Sequence, residues 1–241
     1  MLSGSGLRKS FDNKAVLDNL SISIERGSIT ALLGETGVGK STLLRALAMI
    51  DPPEAGAIEL DGEVYQYPLH SRIPPRPWPK LGVVFQDLFL WPHLTIRDNI
   101  LLPLRLNNVT GASELLAEVS NEFHICDLLD RYPNQVSRGQ RQAVAIARAL
   151  ALKPRYILLD EITASLDFSR SAKLGIGLRM RADQGAGILL ITHQLSFART
   201  QADCIMFMSN GSIVESGPPS ILDTPSTHEL QGFIRLVGHM A

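Results

Sequence analysis

Nine residues constrain this chain more than anything else in it: Gly34-Glu35-Thr36-Gly37-Val38-Gly39-Lys40-Ser41-Thr42. They fit the pattern G-x-x-x-x-G-K-[ST], in which glycines let consecutive backbone N–H groups curl around phosphate oxygens. The flanks agree. Ser28 to Leu33 is a short β-prone apolar run, and Leu43, Leu44, Leu47 and Ala48 recur at helical spacing. The loop therefore joins a strand to a helix N-terminus, whose dipole favours anions. In this arrangement the Lys40 ammonium reaches the β- and γ-phosphates, and the Ser41 hydroxyl ligates Mg²⁺. A nucleoside triphosphate is implied, but the loop alone does not separate a kinase from a GTPase or a motor.

With 241 residues, 45% of them hydrophobic, the chain is long enough for one α/β domain carrying an inserted subdomain. A net charge of -1 gives no support to a nucleic-acid partner held by bulk electrostatics. No uncharged apolar run approaches the roughly 18 residues that span a bilayer, and the N-terminal residues lack a signal peptide's apolar core. The expectation is a protein that stays where it is made. Cys126 and Cys204 have neither metal-ligand nor redox spacing and are expected to be reduced, buried thiols.

Leu20, Ile22 and Ile24 alternate with polar residues, predicting a strand with one buried face before the Arg26-Gly27 turn. Ahead of it, Phe11 has two open readings: an inward-packing strand residue, or an aromatic placed to stack on a purine. Five prolines between Tyr65 and Lys80 predict a surface excursion. Thr95 and Asp98 fit an acidic capping box opening a helix toward Pro103, and Leu115, Val119, Phe123 and Leu129 form a helical stripe from Ser113 to Arg131. Residues 86–152 thus read as a helical interruption of the strand-and-helix alternation.

Strands resume at Arg155 to Asp160 and Gly187 to Thr192, continuous apolar runs typical of a parallel sheet buried on both faces. Asn210-Gly211 between two apolar runs signals a hairpin, so the sheet should end in antiparallel strands. Asp160 and Glu161 stand at a strand's C-terminal end, where ligands of open α/β sheets bind. Asp160 is placed to share Mg²⁺ with Ser41, and Glu161 to orient a water toward the γ-phosphate. His193 closes another strand on the same edge.

At this point the residues carry a family resemblance. Val136-Ser137-Arg138-Gly139-Gln140 and the helix after it resemble the signature sequence of ABC-transporter ATPases. Ala164-Ser165-Leu166-Asp167 resembles the D-loop and His193 the switch histidine. The resemblance covers nearly the whole chain and implies one ABC ATPase domain over 1–241. It also implies an α/β phosphate-loop (RecA-like) core, a helical subdomain at 86–152 and antiparallel strands at the nucleotide-binding end. ATP and Mg²⁺ are the implied cofactors. Glu35, Thr36, Gly37, Val38 and Thr42 would bind nucleotide with Gly34, Gly39, Lys40 and Ser41. Phe11 would stack on adenine, Gln86 contact Mg²⁺ and the attacking water, Asp160 hold the metal and Glu161 act as general base beside His193. Ser137, Gly139 and Gln140 would meet the nucleotide of a partner subunit.

A narrower resemblance, from Val84-Phe85-Gln86 to Thr95 and from Thr192 to Arg199, is to the ATP-binding subunits of polar amino-acid importers. It implies a peripheral protein on the cytoplasmic side of the membrane. Its partners would be permease subunits, docked through the apolar Leu88-to-Leu94 loop, a second copy or a related ATPase, and indirectly a solute-binding protein. Two positions depart from the family pattern: Arg138 replaces the first signature glycine, and Ile162 the proline usually following the glutamate. Those departures leave an alternative, a nucleotide-gated regulatory or soluble ABC protein with weak turnover. DNA-acting relatives usually carry long coiled-coil insertions and ribosome-acting ones two cassettes, and the sequence has neither.

Overall fold

Alternation inside two apolar strands sets the layering. In Ile29–Leu33 (β3), Ile29, Ala31 and Leu33 enter one core while Leu32 enters another, and Gly187–Ile191 (β8) divides in the same way. Strands with both faces buried need cover on each side, which is why these runs are apolar throughout. The computed structural model describes residues 1–69, 76–163 and 168–238.

Two sheets supply the frame. Cys204–Ser209 (β9), Ser212–Gly217 (β10), Tyr156–Asp160 (β7) and Leu81–Val84 (β6) join β3 and β8 in a six-stranded sheet of order β10-β9-β3-β8-β7-β6. All its neighbours are parallel except β10, the antiparallel partner of β9 across the expected Asn210-Gly211 turn. A four-stranded antiparallel sheet contains Leu2–Phe11 (β1), Lys14–Ile24 (β2), Ala55–Leu60 (β4) and Glu63–Tyr67 (β5). Lys40–Leu47 (α1) fills the space between the sheets with Leu43, Leu44 and Leu47. Phe168–Asp183 (α5), Leu195–Gln201 (α6) and His228–Gly238 (α7) cover the other face, where Leu174, Phe197 and Phe233 are buried.

Ile96–Leu106 (α2), Ala112–Glu122 (α3) and Arg138–Leu150 (α4) enclose a third core around Ile100, Leu104, Val119 and Val144. Thr95 caps α2 by accepting from the Asp98 N–H at 3.1 Å, as the sequence predicts. The Asp98 carboxylate, however, accepts from the Thr95 hydroxyl at 2.9 Å, so the reciprocal half of the box is missing.

Four expectations are corrected here. The helix opened by Thr95 does not stop at Pro103 but runs through it to Leu106. A proline in a helix costs about 3 kcal/mol, and full burial of Ile100 and Leu104 on either side of it offsets that cost. The stripe expected to reach Arg131 ends at Glu122. His124 adopts φ +52, letting Ile125 N–H bond the Ser120 carbonyl and His124 N–H the Asn121 carbonyl. That is a Schellman end, with Ile125 and Val119 supplying its apolar contact. Glycine usually marks such a stop, and histidine gave no signal. Nor are the cysteines buried: Cys126 is exposed and Cys204 half-buried. In the proline-rich segment, Tyr65 to Tyr67 belongs to β5 and Tyr67 is buried, so the excursion begins later than expected; residues 70–75 lie outside the described residues.

Candidate functional site

Parallel pairing brings the C-terminal ends of β3, β8, β7 and β6 to one edge in that lateral order. Beyond them stand the phosphate loop, His193, Asp160 with Glu161, and Gln86. Neighbouring strands lie about 4.8 Å apart, so residues distant in sequence share one edge.

The loop requires glycine at two positions for reasons visible in the structure. Gly39 has φ +110, and a Cβ there would meet the Val16 carbonyl oxygen at 2.7 Å; Gly34 has φ +154 and would meet that of Met208 at 2.5 Å. Both conformations are strained for other residues. No side chain caps the N-terminus of α1, leaving its first N–H groups for a ligand. Lys40, 5% exposed, donates to the Gly34 carbonyl at 2.8 Å and the Glu35 carbonyl at 2.7 Å. Burial lowers its pKa below the ordinary lysine value, while Glu161, Asp160 and Glu35 act to raise it. Ser41 and Thr42 follow in the first turn, both half-buried.

Asp160 ends β7 buried, and its Oδ1 has no hydrogen-bond partner among the described residues. Burial pushes its carboxyl above the usual range, opposed by a hydrogen bond from Ser41. A buried, orphaned carboxylate oxygen on a side chain that faces the Ser41 hydroxyl is a donor set that fits a hard divalent cation. Glu161 turns out of the strand at φ +50, its N–H bonded to the Ile191 carbonyl at 3.0 Å. Its Oε1 is hydrogen-bonded to Nε2 of His193 at 2.6 Å. The lone histidine thus stands against the expected carboxylate.

Sequence reasoning missed the brace beneath this pair. Thr163 and Thr192 hydroxyls meet at 2.8 Å, both buried, and Gln194 donates to Thr192 Oγ1 at 3.1 Å and the Thr163 carbonyl at 3.3 Å. The available signal was a threonine just beyond each of two apolar strands.

Gln86 is exposed beyond the end of β6. Phe11 does not pack inward: it ends β1 at 48% exposure, beneath the Lys9 ammonium at 5.6 Å. Its hairpin also carries Val16, which stands against Gly39, so the aromatic overhangs the loop's side of the molecule. Ser137, Gly139 and Gln140 are not hydrogen-bonded to the phosphate loop. They open α4 instead: Ser137 N–H donates to Gln140 Oε1 at 2.8 Å and Gln140 N–H to Ser137 Oγ at 3.3 Å. Arg138 takes the first helical position, exposed and without positive φ, so nothing in the backbone demands glycine. Ile162 is 1% exposed in the main core. The D-loop match at 164–167 lies outside the described residues.

A phosphate loop opening a helix, with an acidic pair two strands away at the C-terminal edge, defines a phosphate-loop nucleoside triphosphatase. The chain belongs to the ABC transporter family, whose profile matches residues 17–164, and within it is an ATP-binding ATPase cassette. It is 34% identical to the glutamate transport ATP-binding protein GluA of Corynebacterium efficiens over 99% of this chain and 100% of that one. It is 33% identical to the glutamine transport ATP-binding protein GlnQ of Escherichia coli over 98% and 100%. A bacterial ABC transporter cassette solved as a dimer superposes with TM-score 0.82 at 27% identity, over 91% of this chain and 99% of that one. No helix among the described residues is long and apolar enough to cross a membrane.

Proposed function

We propose that this chain is the subunit that hydrolyses ATP to drive a membrane importer of polar amino acids. The observation that carries the chemistry is the Glu161–His193 pair on the same sheet edge as Lys40 and Asp160. The amino-acid class is supported by full-length similarity to glutamate, glutamine and arginine transport ATP-binding proteins.

Glu161 accepts a proton from water as that water attacks the γ-phosphate and the bond to the bridging oxygen breaks, giving ADP and phosphate. His193 holds the carboxylate in place. Lys40 exchanges its bonds to the Gly34 and Glu35 carbonyls for phosphate oxygens, charge-assisted bonds that replace neutral acceptors. Ser41, Asp160 and Gln86 would hold Mg²⁺, which neutralises phosphate charge when bound. Gly34 to Thr42 cradle the phosphates, and Phe11 stacks on the base. Ser137, Gly139 and Gln140 have no role in their own chain's loop, so they serve the nucleotide of a second copy or a related subunit. Membrane subunits dock on Leu88 to Leu94, placing the protein on the cytoplasmic face.

The test is a membrane fraction from cells expressing the tagged chain, with phosphate release measured on the purified complex. Recovery with permease subunits and ATP turnover stimulated by substrate is expected. Turnover without membrane recovery would leave the ATPase and remove the transporter.

A further inference from the structure

We propose that Lys9 is a positioning residue for nucleotide binding: it fixes the Phe11 ring so that one face stays open for the base. The role rests on the stacking proposed for Phe11 above. An aromatic 48% exposed at the end of a strand turns about its side-chain bonds, and each orientation lost on binding costs affinity. A ring already held in its bound orientation avoids that cost.

Lys9 is equipped to hold it. Its side chain is only 13% exposed although it carries a charge. Nζ donates to Asp51 Oδ1 at 2.6 Å and to the Pro52 carbonyl at 2.8 Å. An ammonium has three donors, which leaves one for the Phe11 ring, whose centroid lies 5.6 Å away. That distance is within the reach of a cation–π contact. The cation occupies one face of the ring, so a base can stack only on the other.

The same segment is tied to both ends of the phosphate-loop helix. On the other strand of the hairpin, Val16 stands against Gly39 at the start of α1. Asp51 and Pro52 lie just past its end at Leu47. Beside them, the Ser10 N–H donates to the Glu54 carboxylate at 3.2 Å and the Glu54 N–H to the Arg8 carbonyl at 2.8 Å. The ring is thereby fixed relative to the helix whose first turn faces the phosphates, and such a frame lets one ligand satisfy base and phosphate contacts together.

The experiment measures KM and kcat for ATP by phosphate release on the full chain, beside the inhibition constant of tripolyphosphate, which has no base. Lys9→Met keeps an unbranched side chain without the charge. It should raise KM for ATP about 2–5-fold, the worth of an exposed cation–π contact, and leave kcat and the tripolyphosphate constant unchanged. Lys9→Arg, which keeps a cation for the ring, should recover at least half of the loss. Phe11→Ala should also raise KM, and adding Lys9→Met to it should do nothing further, because the lysine then has no ring to hold. Asp51→Asn, which loosens the lysine, takes the place of Lys9→Met if that variant does not fold, with the same expected rise. An unchanged KM in the variant used, or an equal loss with tripolyphosphate, overturns the positioning role while stacking by Phe11 stands. An unchanged KM in Phe11→Ala overturns the stacking, and the Lys9 role falls with it.

Discussion

Arg148 donates through Nη2 to the Leu88 carbonyl at 2.7 Å, joining the signature helix to the loop proposed to dock on the membrane subunits. Its Nη1 reaches the Phe89 carbonyl, also at 2.7 Å, and the guanidinium lies over the Trp91 ring at 5.0 Å. Leu88 and Phe89 have φ of +55 and +43, strained values that fixed carbonyl partners help to hold. Burial lowers the Arg148 pKa to about 10, so it stays charged at neutral pH. Arg148→Ala should destabilise the protein by about 2–4 kcal/mol, the worth of two charged hydrogen bonds and a stacked cation. Urea unfolding measures this, and Arg148→Lys should recover less than half of it, lacking the fork.

The proposed docking loop is divided by burial. Phe89 is 57% exposed, touching Phe85 edge-on at 5.5 Å, whereas Leu90 packs against two cores. Phe89→Ser should lower membrane recovery severalfold and change stability by less than about 1 kcal/mol. Leu90→Ser should cost stability as well, by about 1–3 kcal/mol. If Phe89→Ser loses as much stability as Leu90→Ser, the exposed ring is structural and the docking surface lies elsewhere.

Removing the proposed base should separate binding from chemistry. Glu161→Gln should bind ATP normally, slow hydrolysis about 10²–10⁴-fold and accumulate an ATP-bound dimer. Lys40→Ala should instead abolish ATP binding, because phosphate charge loses its buried cation. Parental turnover in the first variant, or tight ATP binding in the second, would reverse the assignment concerned.

Arg138 begins a helix in ordinary helical conformation, so restoring glycine gains nothing from the backbone. Arg138→Gly should leave ATP turnover within about twofold, while Gly139→Asp should lose it by setting a carboxylate toward phosphate. A large rise in turnover for Arg138→Gly would mean the natural signature is impaired.

The raised pKa of Asp160, caused first by burial, fixes the sign of a pH effect. Between the unfolded and folded values the unfolded chain binds fewer protons, so stability falls as pH rises through that window. Without Mg²⁺, Asp160→Asn should therefore be the more stable protein at neutral pH, with the advantage vanishing as pH falls below the ordinary carboxylate range. Thermal melts from pH 3 to 8 give the comparison. Mg²⁺ with nucleotide should reverse the order at neutral pH, since only the carboxylate holds the cation.

The chain's own residues determined the phosphate loop, the apolar strands β3, β7 and β8, the Asn210-Gly211 hairpin and the acidic pair. Each of these is local: spacing, alternation and turn chemistry act over a few neighbours. The strand order that sets His193 against Glu161 was not local, because it depends on which buried runs pair. The Thr163–Thr192 brace follows from the same pairing. Pro103 and His124 misled for a related reason: burial of Leu104 and Ile125 in the helical core outweighs the preferences of the residues beside them. Only the tertiary structure decided that Arg148 spans from α4 to Leu88, since a long side chain finds its carbonyls after the helices have packed.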